Sequence, residues 1–351
     1  MKFKLLVADF DTALFRAAKS VQEDYIEVTH TESGHVKEFE NKTAFYGHWR
    51  NKNGGWLAST NEERLSKSLS VFSVEDFSIE ELCRYPSDIT DPLGDAERSF
   101  DFTVGRLKKS VDAADYKLVI GGEGNFRYES AQQLPYKGNR AGKPLIFHEL
   151  KELVIKKYGK RVVVVDGREA DDWCSAIGFQ NYKHYLKTGK WDVCLAFIDK
   201  DLKMIVSPSF NYDDDKPEVV INTPFEAAKC YAVQLLCGDK GTDNIPGLPN
   251  FTDGVREKYE LKKTVGIGSG SALKYLEGVT EIPELFQRVV EAYKSYYGTR
   301  KKNFTTHRGD VVKWGWRDYL QDNGNLLYMH RREDCVYDIF KDTLLPLGVK
   351  L

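Results

Sequence analysis

The sequence contains no apolar run long enough to cross a bilayer, so no transmembrane helix is expected and no membrane partner. It has no C-x-x-C pair: Cys83, Cys174, Cys194, Cys230, Cys237 and Cys335 stand apart. Its seven histidines are scattered, so a zinc site is not expected. It has no internal repeat and no low-complexity tail. The stretch from Met1 to Leu14 carries a basic start and an apolar run, but Asp9 and Asp11 interrupt it. It does not read as a secretory signal, and reduced thiols in a cytoplasm, a host's if the gene is a phage's, are the expectation. A large net charge is also missing: the value is −2 over 351 residues. By itself that points to no nucleic-acid partner.

The distribution of charge says more than its sum. Residues 22–115 hold 19 acids against 11 bases. Lys137 to Arg161 holds eight bases against two acids, and Lys294 to Arg308 holds five bases and no acid. Two basic surfaces are thus hidden in a neutral average, which suits phosphate binding. Solvated helix faces explain such runs about as often.

What is present is a globular composition, 41% hydrophobic and 30% charged. "K-F-K-L-L-V-A-D-F-D" reads as a buried strand, followed by a helix from Leu14 to Val21. Tyr25 to Phe39 alternates around Ser33-Gly34, a hairpin signal. Gly54-Gly55 and Ser66 to Ser73 mark loops, and Asp95 to Asp112 reads as helix. Residues 22–112 form an insert of unassigned role. Strands then follow at Tyr116–Gly121, Val162–Val165 and Asp192–Ile198, with a short one expected at Met204–Ser207. Helices read at Pro144–Tyr158 and from Ala170 onward, and the chain reads as helical from residue 223 to its end. Repeated βα units with apolar strands predict an α/β fold: a mostly parallel central sheet with helices on both faces.

"V-V-V-V-D-G-R-E-A-D-D-W", from Val162, crowds Glu169, Asp171 and Asp172 between a strand and a helix. Acids at a helix start are ordinary, worth about 0.3–1 kcal/mol each against the helix dipole. Three in four residues exceed that need. Moreover, every strong strand ends on acid: Asp9, then Glu123, then this cluster, then Asp199 and Asp201. Ligands bind outside the carboxyl ends of parallel strands, so these groups should converge. Asp239 and Asp243 follow the helical Phe225–Leu236, and their i, i+4 spacing shares a face if that turn is helical. So many carboxylates cannot all stay ionised without cations. Hard divalent ions with oxygen ligands answer that, and two of them can activate a water and stabilise the leaving oxygen of a phosphodiester.

"L-P-Y-K-G-N-R" places Lys137 and Arg140 three apart, on one face if helical. Cations there can bind a phosphate and stabilise transition-state charge, and Tyr136 can stack a base. A surface loop with a tyrosine anchor is the plainer alternative. "G-D-K-G-T-D-N-I-P-G-L-P" and "V-G-I-G-S-G-S-A" supply glycines that let backbone N–H groups approach a phosphate, or simply turn between packed helices.

Taken in order, "V-A-D-F-D", "L-P-Y-K-G-N-R", "R-E-A-D-D", "I-D-K-D", "G-D-K-G-T-D-N-I-P-G" and "G-I-G-S-G-S-A" resemble the 5′-nuclease superfamily. That family comprises flap endonucleases and 5′→3′ exonucleases; phage-encoded members are the most similar. The resemblance covers Leu5–Arg16 and Tyr116 to about Leu276. It implies a 5′→3′ exonuclease and structure-specific flap endonuclease that leaves 5′-phosphates by a two-metal mechanism. Asp9, Glu169, Asp171 and Asp172 would surround a first Mg²⁺; Asp199, Asp201, Asp239 and Asp243 would support a second, with Mn²⁺ able to substitute. Asp171 and Asp199 would join Lys137 and Arg140 as catalytic groups. Tyr136 would stack on a terminal base. Gly266, Gly268, Ser269, Gly270 and Ser271 would belong to a helix–three-turn–helix that grips duplex DNA, in the family often with K⁺. The partners implied are DNA with 5′ ends, nicks or flaps, RNA–DNA hybrids, and replication proteins.

On this reading residues 1–223 form the nuclease core, with a helical gateway at about 130–160. Residues 224–300 form the helix–three-turn–helix region, and 301–351 a helical extension. Glu123 stands where the family has an aspartate, and Asp239 and Asp243 lie one residue further apart than usual. Residues 249–264 lengthen the link between the two glycine motifs. Two rivals remain. "A-D-F-D-T" resembles the nucleophile motif of haloacid-dehalogenase-type phosphatases, with Asp9 as nucleophile and Asp11 as acid. A DNA-binding module without catalysis would keep the basic runs and leave the acids redundant.

Overall fold

A computed structural model describes residues 1–48, 54–140, 142–332 and 336–351. Cys335, read above as a reduced thiol, lies outside the described residues, as do 49–53 of the insert and residue 141 of the gateway segment. In chain order the first elements are β1 (Lys2–Asp9), α1 (Asp11–Lys19), β2 (Glu23–His30), β3 (Val36–Phe39), α2 (Lys42–Tyr46), α3 (Trp56–Ser66), β4 (Phe77–Arg84) and α4 (Pro92–Ser110). Then come β5 (Asp112–Gly121), α5 (Phe126–Ser130), α6 (Phe147–Tyr158), β6 (Val162–Val165), α7 (Ala170–Thr188), β7 (Val193–Phe197), β8 (Pro208–Asn211) and β9 (Val220–Ile221). The last are α8 (Pro224–Cys237), α9 (Asp253–Lys258), α10 (Ser269–Tyr275), α11 (Ile282–Tyr297), β10 (Lys302–Thr305), β11 (Val311–Trp314) and α12 (Trp316–Leu327).

The chain divides into two compact units. The larger comprises Met1–Thr12, Thr103–Gly142 and Tyr158–Leu351. Its sheet has six strands in the order β6-β5-β1-β7-β8-β9. All neighbours are parallel except β8 and β9. The apolar residues of β1 explain its central place: Leu6, Val7 and Ala8 are fully buried between two parallel partners. The four-valine strand is instead an edge, and Val164 is 40% exposed. α8, α11 and α12 bury a further face through Tyr231, Leu235, Val289, Tyr293 and Leu320.

The smaller unit comprises Ala13–Phe102 and Lys143–Lys157. It contains the expected hairpin, turned at Gly34 with φ +67°, as one pair of a three-stranded antiparallel sheet β3-β2-β4. Ile26, Val28, Phe45 and Leu57 form its core, with Phe39, Trp56 and Phe77 packed on them. Gly55 caps α3 because a Cβ there would meet the Gly47 amide nitrogen at 2.1 Å. β4 went unread in the sequence because "F-S-I-E-E-L-C-R" is charged and half-exposed.

Three expectations are corrected. The short strand lies at Pro208–Asn211, not Met204–Ser207, because Asp199 caps a 3₁₀ turn over Lys200–Met204 by accepting from the Asp201 amide. The strand expected from Tyr116 begins at Asp112, since the parallel partner Lys2–Phe3 extends the pairing. The chain beyond residue 300 is not wholly helical: β10 and β11 pair as a hairpin before α12. Among the described residues no helix is long and apolar enough to cross a membrane.

Candidate active site

From β1 the chain adds β5 and β6 on one side, then returns to place β7 on the other. In such a sheet the crevice opens outside the carboxyl ends of the two strands flanking the reversal, β1 and β7. Asp9 ends β1, and Asp199 follows β7. α7 starts after the neighbouring β6 with Glu169, Asp171 and Asp172 in its first turn. All these residues lie in the larger unit.

Their charges act on one another. Burial, then Asp11, Asp199 and Glu169, push the Asp9 carboxyl up to about 8. Burial, with Glu169, Asp172 and Asp9 nearby, pushes Asp171 well above the carboxylate range. Burial raises Asp201 to about 7, with Asp199, Asp239 and Asp243 adding to it. Burial also raises Asp243, against the pull of Lys137 and Arg140. Asp9, Glu169, Asp171, Asp172 and Asp199 thus stand within electrostatic reach of one or more of each other, as do Asp199, Asp201, Asp239 and Asp243. Glu123 does not join them. It is exposed, and its backbone is what is used: its N–H donates to Asp166 Oδ1 at 2.8 Å and its carbonyl accepts from Gly167.

Helix capping explains only part of the α7 cluster. Asp172 accepts from the Glu169 amide at 3.3 Å, half of a capping box. Its main partner is Arg127, which sequence reading missed. Both side chains are fully buried, and the guanidinium forks onto the two carboxylate oxygens at 2.6 and 2.9 Å. Burial alone would raise Asp172, but Arg127 and the neighbouring His330 hold it below its usual range. The only signal was an arginine two residues after Asn125, which caps α5 by accepting from the Arg127 amide.

"L-P-Y-K-G-N-R" is not helical but a pair of tight turns: Gly138 N–H donates to the Pro135 carbonyl and Arg140 N–H to that of Lys137. Lys137 adopts φ +54°. The shared face comes from these turns. Lys137 Nζ bonds Glu169, and Arg140 Nη2 donates to Asp243 Oδ1 at 2.7 Å. Arg127 and Lys137 together outweigh burial and hold Glu169 below its usual range. Tyr136 is corrected. It is 4% exposed, and its hydroxyl lies 2.9 Å from Glu169 Oε2 and 3.0 Å from Asp243 Oδ2. A ring buried and tied in this way offers no free face to a base.

Asp239 and Asp243 do not share a helical face. They sit in a turn closed by a bridge between Asp239 and Ile245. Gly238 (φ +69°) and Gly247 (φ +63°) flank that bridge, and a Cβ on Gly238 would meet the Ile245 carbonyl oxygen at 2.2 Å. Both glycines are therefore required by backbone approach. Asp239 pairs with Lys200 at 3.3 Å, and Gln234 donates to Asp201. The turn follows α8 rather than a strand, which does not suit the phosphatase motif. Gly268 caps α10, and Gly268, Ser269 and Gly270 are exposed, with Gly266 and Ser271 half-buried.

Among the described residues, no three His, Cys, Asp or Glu already stand as a metal-ligand cluster. Most of these carboxylates are turned to protein donors instead. Asp171 differs: its Oδ1 is buried with no hydrogen-bond partner. An all-oxygen set with such an unanswered buried acceptor suits a hard divalent cation.

Two curated proteins match parts of the chain. The 5′-3′ exonuclease of Buchnera aphidicola is 30% identical over 127 residues, 33% of this chain and 42% of that protein. DNA polymerase I of Rhizobium leguminosarum is 28% identical over 167 residues, 44% of this chain and 14% of that protein. The chain is similar to the 5′-nuclease superfamily. It spans less than half the length of either relative. No protein-family model matches it. Among solved structures, a bacteriophage T5 flap endonuclease variant in complex with DNA and metal ions aligns at 17% identity over 72% of this chain and 88% of its own, with a TM-score of 0.38. A mutant of the T5 5′-exonuclease aligns at 18% over 66% and 92%, with a TM-score of 0.32. At such scores the likeness carries no weight for the site.

Proposed function

We propose that this chain is a metal-dependent nuclease that hydrolyses DNA from or near a 5′ end, as a 5′→3′ exonuclease and 5′-flap endonuclease. The observation that carries this reading is the crevice itself. The reading is supported by the electrostatic interaction of Asp9, Glu169 and Asp199, which follow three parallel strands, by the buried Asp171 Oδ1 that has no donor, and by Lys137 and Arg140 paired with Glu169 and Asp243. Asp9, Glu169, Asp171, Asp172, Asp199, Asp201, Asp239 and Asp243 would hold two Mg²⁺ or Mn²⁺ ions. When bound, such ions supply Lewis acidity to a phosphodiester and its attacking water.

The chain's own groups do the rest. Lys137 and Arg140 bind the phosphate and offset charge that grows on its oxygens. Glu169 and Asp243 orient these cations, and Tyr136 fixes both carboxylates through its hydroxyl. In the reaction a water oxygen bonds to phosphorus as the bond to the 3′-oxygen breaks. A proton passes to the leaving oxygen, which gives a 5′-phosphate and a 3′-hydroxyl. Gly266, Gly268, Ser269, Gly270 and Ser271, in and just before the first turn of α10, would bind the duplex backbone in a helix–three-turn–helix with K⁺. RNA–DNA hybrids belong to the same substrate class, because such contacts address phosphates rather than bases.

The test is a 5′-labelled set of blunt, nicked, flapped and RNA–DNA substrates incubated with Mg²⁺ or with chelator. Short 5′-phosphorylated products in Mg²⁺ alone support the proposal. Intact flap and nicked DNA in Mg²⁺, or an Asp199→Asn variant as fast as the parent, sinks it.

A further inference from the structure

Arg308 ends the basic run that begins at Lys294, and from sequence it reads as a phosphate contact. The structure uses it differently. It sits in the loop joining β10 to β11, which is closed by Thr306 N–H to the Asp310 carbonyl and by Gly309 N–H to the Thr306 carbonyl, both at 2.9 Å. From there its guanidinium forks onto three backbone carbonyls at the end of α5. Nη2 donates to Tyr128 at 2.7 Å and Glu129 at 2.9 Å, and Nη1 to Ala131 at 2.9 Å. These are the carbonyls a short helix leaves without partners at its end.

The neighbouring backbone is held from the same C-terminal segment. His307 N–H donates to the Gln132 carbonyl, and its ring Nε2 lies 3.1 Å from the Ala131 carbonyl. Buried Asp322 on α12 accepts from the amides of Gln132 and Gln133 and from the Gln133 side chain. One end of this held stretch is Arg127, which itself donates to the Leu326 and Tyr328 carbonyls. Just beyond its other end come Tyr136, Lys137 and Arg140. The stretch 128–133 that leads into the turn carrying Lys137 and Arg140 thus has its partners in residues 307–322, far away in sequence. The turn itself is tied to the 242–244 turn through Lys137 N–H to the Asp243 carbonyl and Asn244 Nδ2 to the Pro135 carbonyl, both at 2.9 Å.

We propose that Arg308 is a positioning residue for the catalytic cations: by clamping the end of α5 it fixes where Lys137 and Arg140 stand. This rests on the nuclease reading above. The geometry of the fork matters, not charge alone. A lysine's three donors radiate from one nitrogen and do not reproduce the planar fork whose Nη1 and Nη2 reach the carbonyls here.

The experiment compares the full chain with its Arg308→Ala and Arg308→Lys variants on a 5′-flap substrate in Mg²⁺. Amide hydrogen exchange across residues 128–140 is followed in the same proteins. Both variants should lower kcat by about ten- to hundred-fold, as a displaced catalytic group does. KM and the salt dependence of binding should stay near the parent's, and exchange across 128–140 should quicken. If Arg308→Ala raises KM and flattens the salt dependence while Arg308→Lys restores both, Arg308 is a phosphate contact and the proposal fails. Unchanged kcat per folded molecule overturns it too, even if the melting temperature drops. If Arg308→Ala does not fold, Arg308→Lys alone decides by the same criteria. A parent that cleaves nothing defeats the nuclease reading, while the exchange data still report whether the clamp exists.

Discussion

The two sides of the acidic crevice are neutralised differently. On the side of β6 and α7, Glu169 and Asp172 are met by Arg127 and Lys137, which hold both below their usual range against burial. On the side of β1 and β7, burial raises Asp9 and Asp201, as it does Asp171 on α7, and neighbouring acids add to the effect. The protein's own cations outweigh burial at Glu169 and Asp172, whereas Lys200, paired with Asp239, only opposes the upward shift of Asp201. The raised acids have the chemistry of a site completed from outside, because clustered carboxylates repel one another. On the proposed reading acids of both sides would hold metal, and Lys137 and Arg140, which pair with Glu169 and Asp243, would also meet the phosphate.

The comparison can be broken where its predicted effects are largest. Among the raised acids, Asp171→Asn should cut Mg²⁺-dependent cleavage by at least about 100-fold, read as initial rates on a flap substrate. Retained activity would place the metal site elsewhere. Where the cations prevail, Arg127→Met should strand a buried carboxylate and destabilise the fold by about 3–5 kcal/mol, measured by urea unfolding. A loss well under that would mean Asp172 finds another donor.

A finer measurement sharpens the contrast. Saturating Mg²⁺, near 100 times its dissociation constant, should stabilise the parent by about 2.7 kcal/mol. Asp171→Asn should melt higher than the parent in chelator and lose most of the Mg²⁺ response, since it removes the cost of burying and neutralising that carboxyl and removes one ligand. A melting temperature indifferent to Mg²⁺ in the parent would refute that contrast. The smallest effect belongs to Tyr136→Phe. Loss of the hydroxyl shared by Glu169 and Asp243 should cost about 0.5–1.5 kcal/mol and slow cleavage only modestly. A collapse of substrate affinity in this variant would instead mean that the hydroxyl meets the substrate.

Much of this was legible in the sequence because it is local. Val162–Val165 and the start of α7 at Ala170 fall where the apolar run and the first-turn acids put them. The hairpin around Ser33-Gly34 forms because glycine accepts the positive φ its turn needs. That Asp9 and Asp199 would stand at the same edge of the sheet was legible too, because parallel strands carry their ends to one edge, whereas Glu123 stayed apart. β4 was missed because its outward face is charged, and β10 and β11 because short exposed strands have weak patterns. Tyr136 was misassigned because a tyrosine in a basic turn reads the same whether its ring is free or buried.

The sequence by itself determined the βα order, the apolar strands and the identity of the acids at their ends, all of which depend on neighbours a few residues away. Only the tertiary structure decided which acids have a cation. Arg127 reaches Asp172 across 45 residues, Tyr136 reaches Asp243 across 107, and Arg308 reaches the carbonyl of Tyr128 across 180. Such pairings depend on which buried groups the packing leaves without water, and a buried polar group must find its partner wherever the fold has brought one.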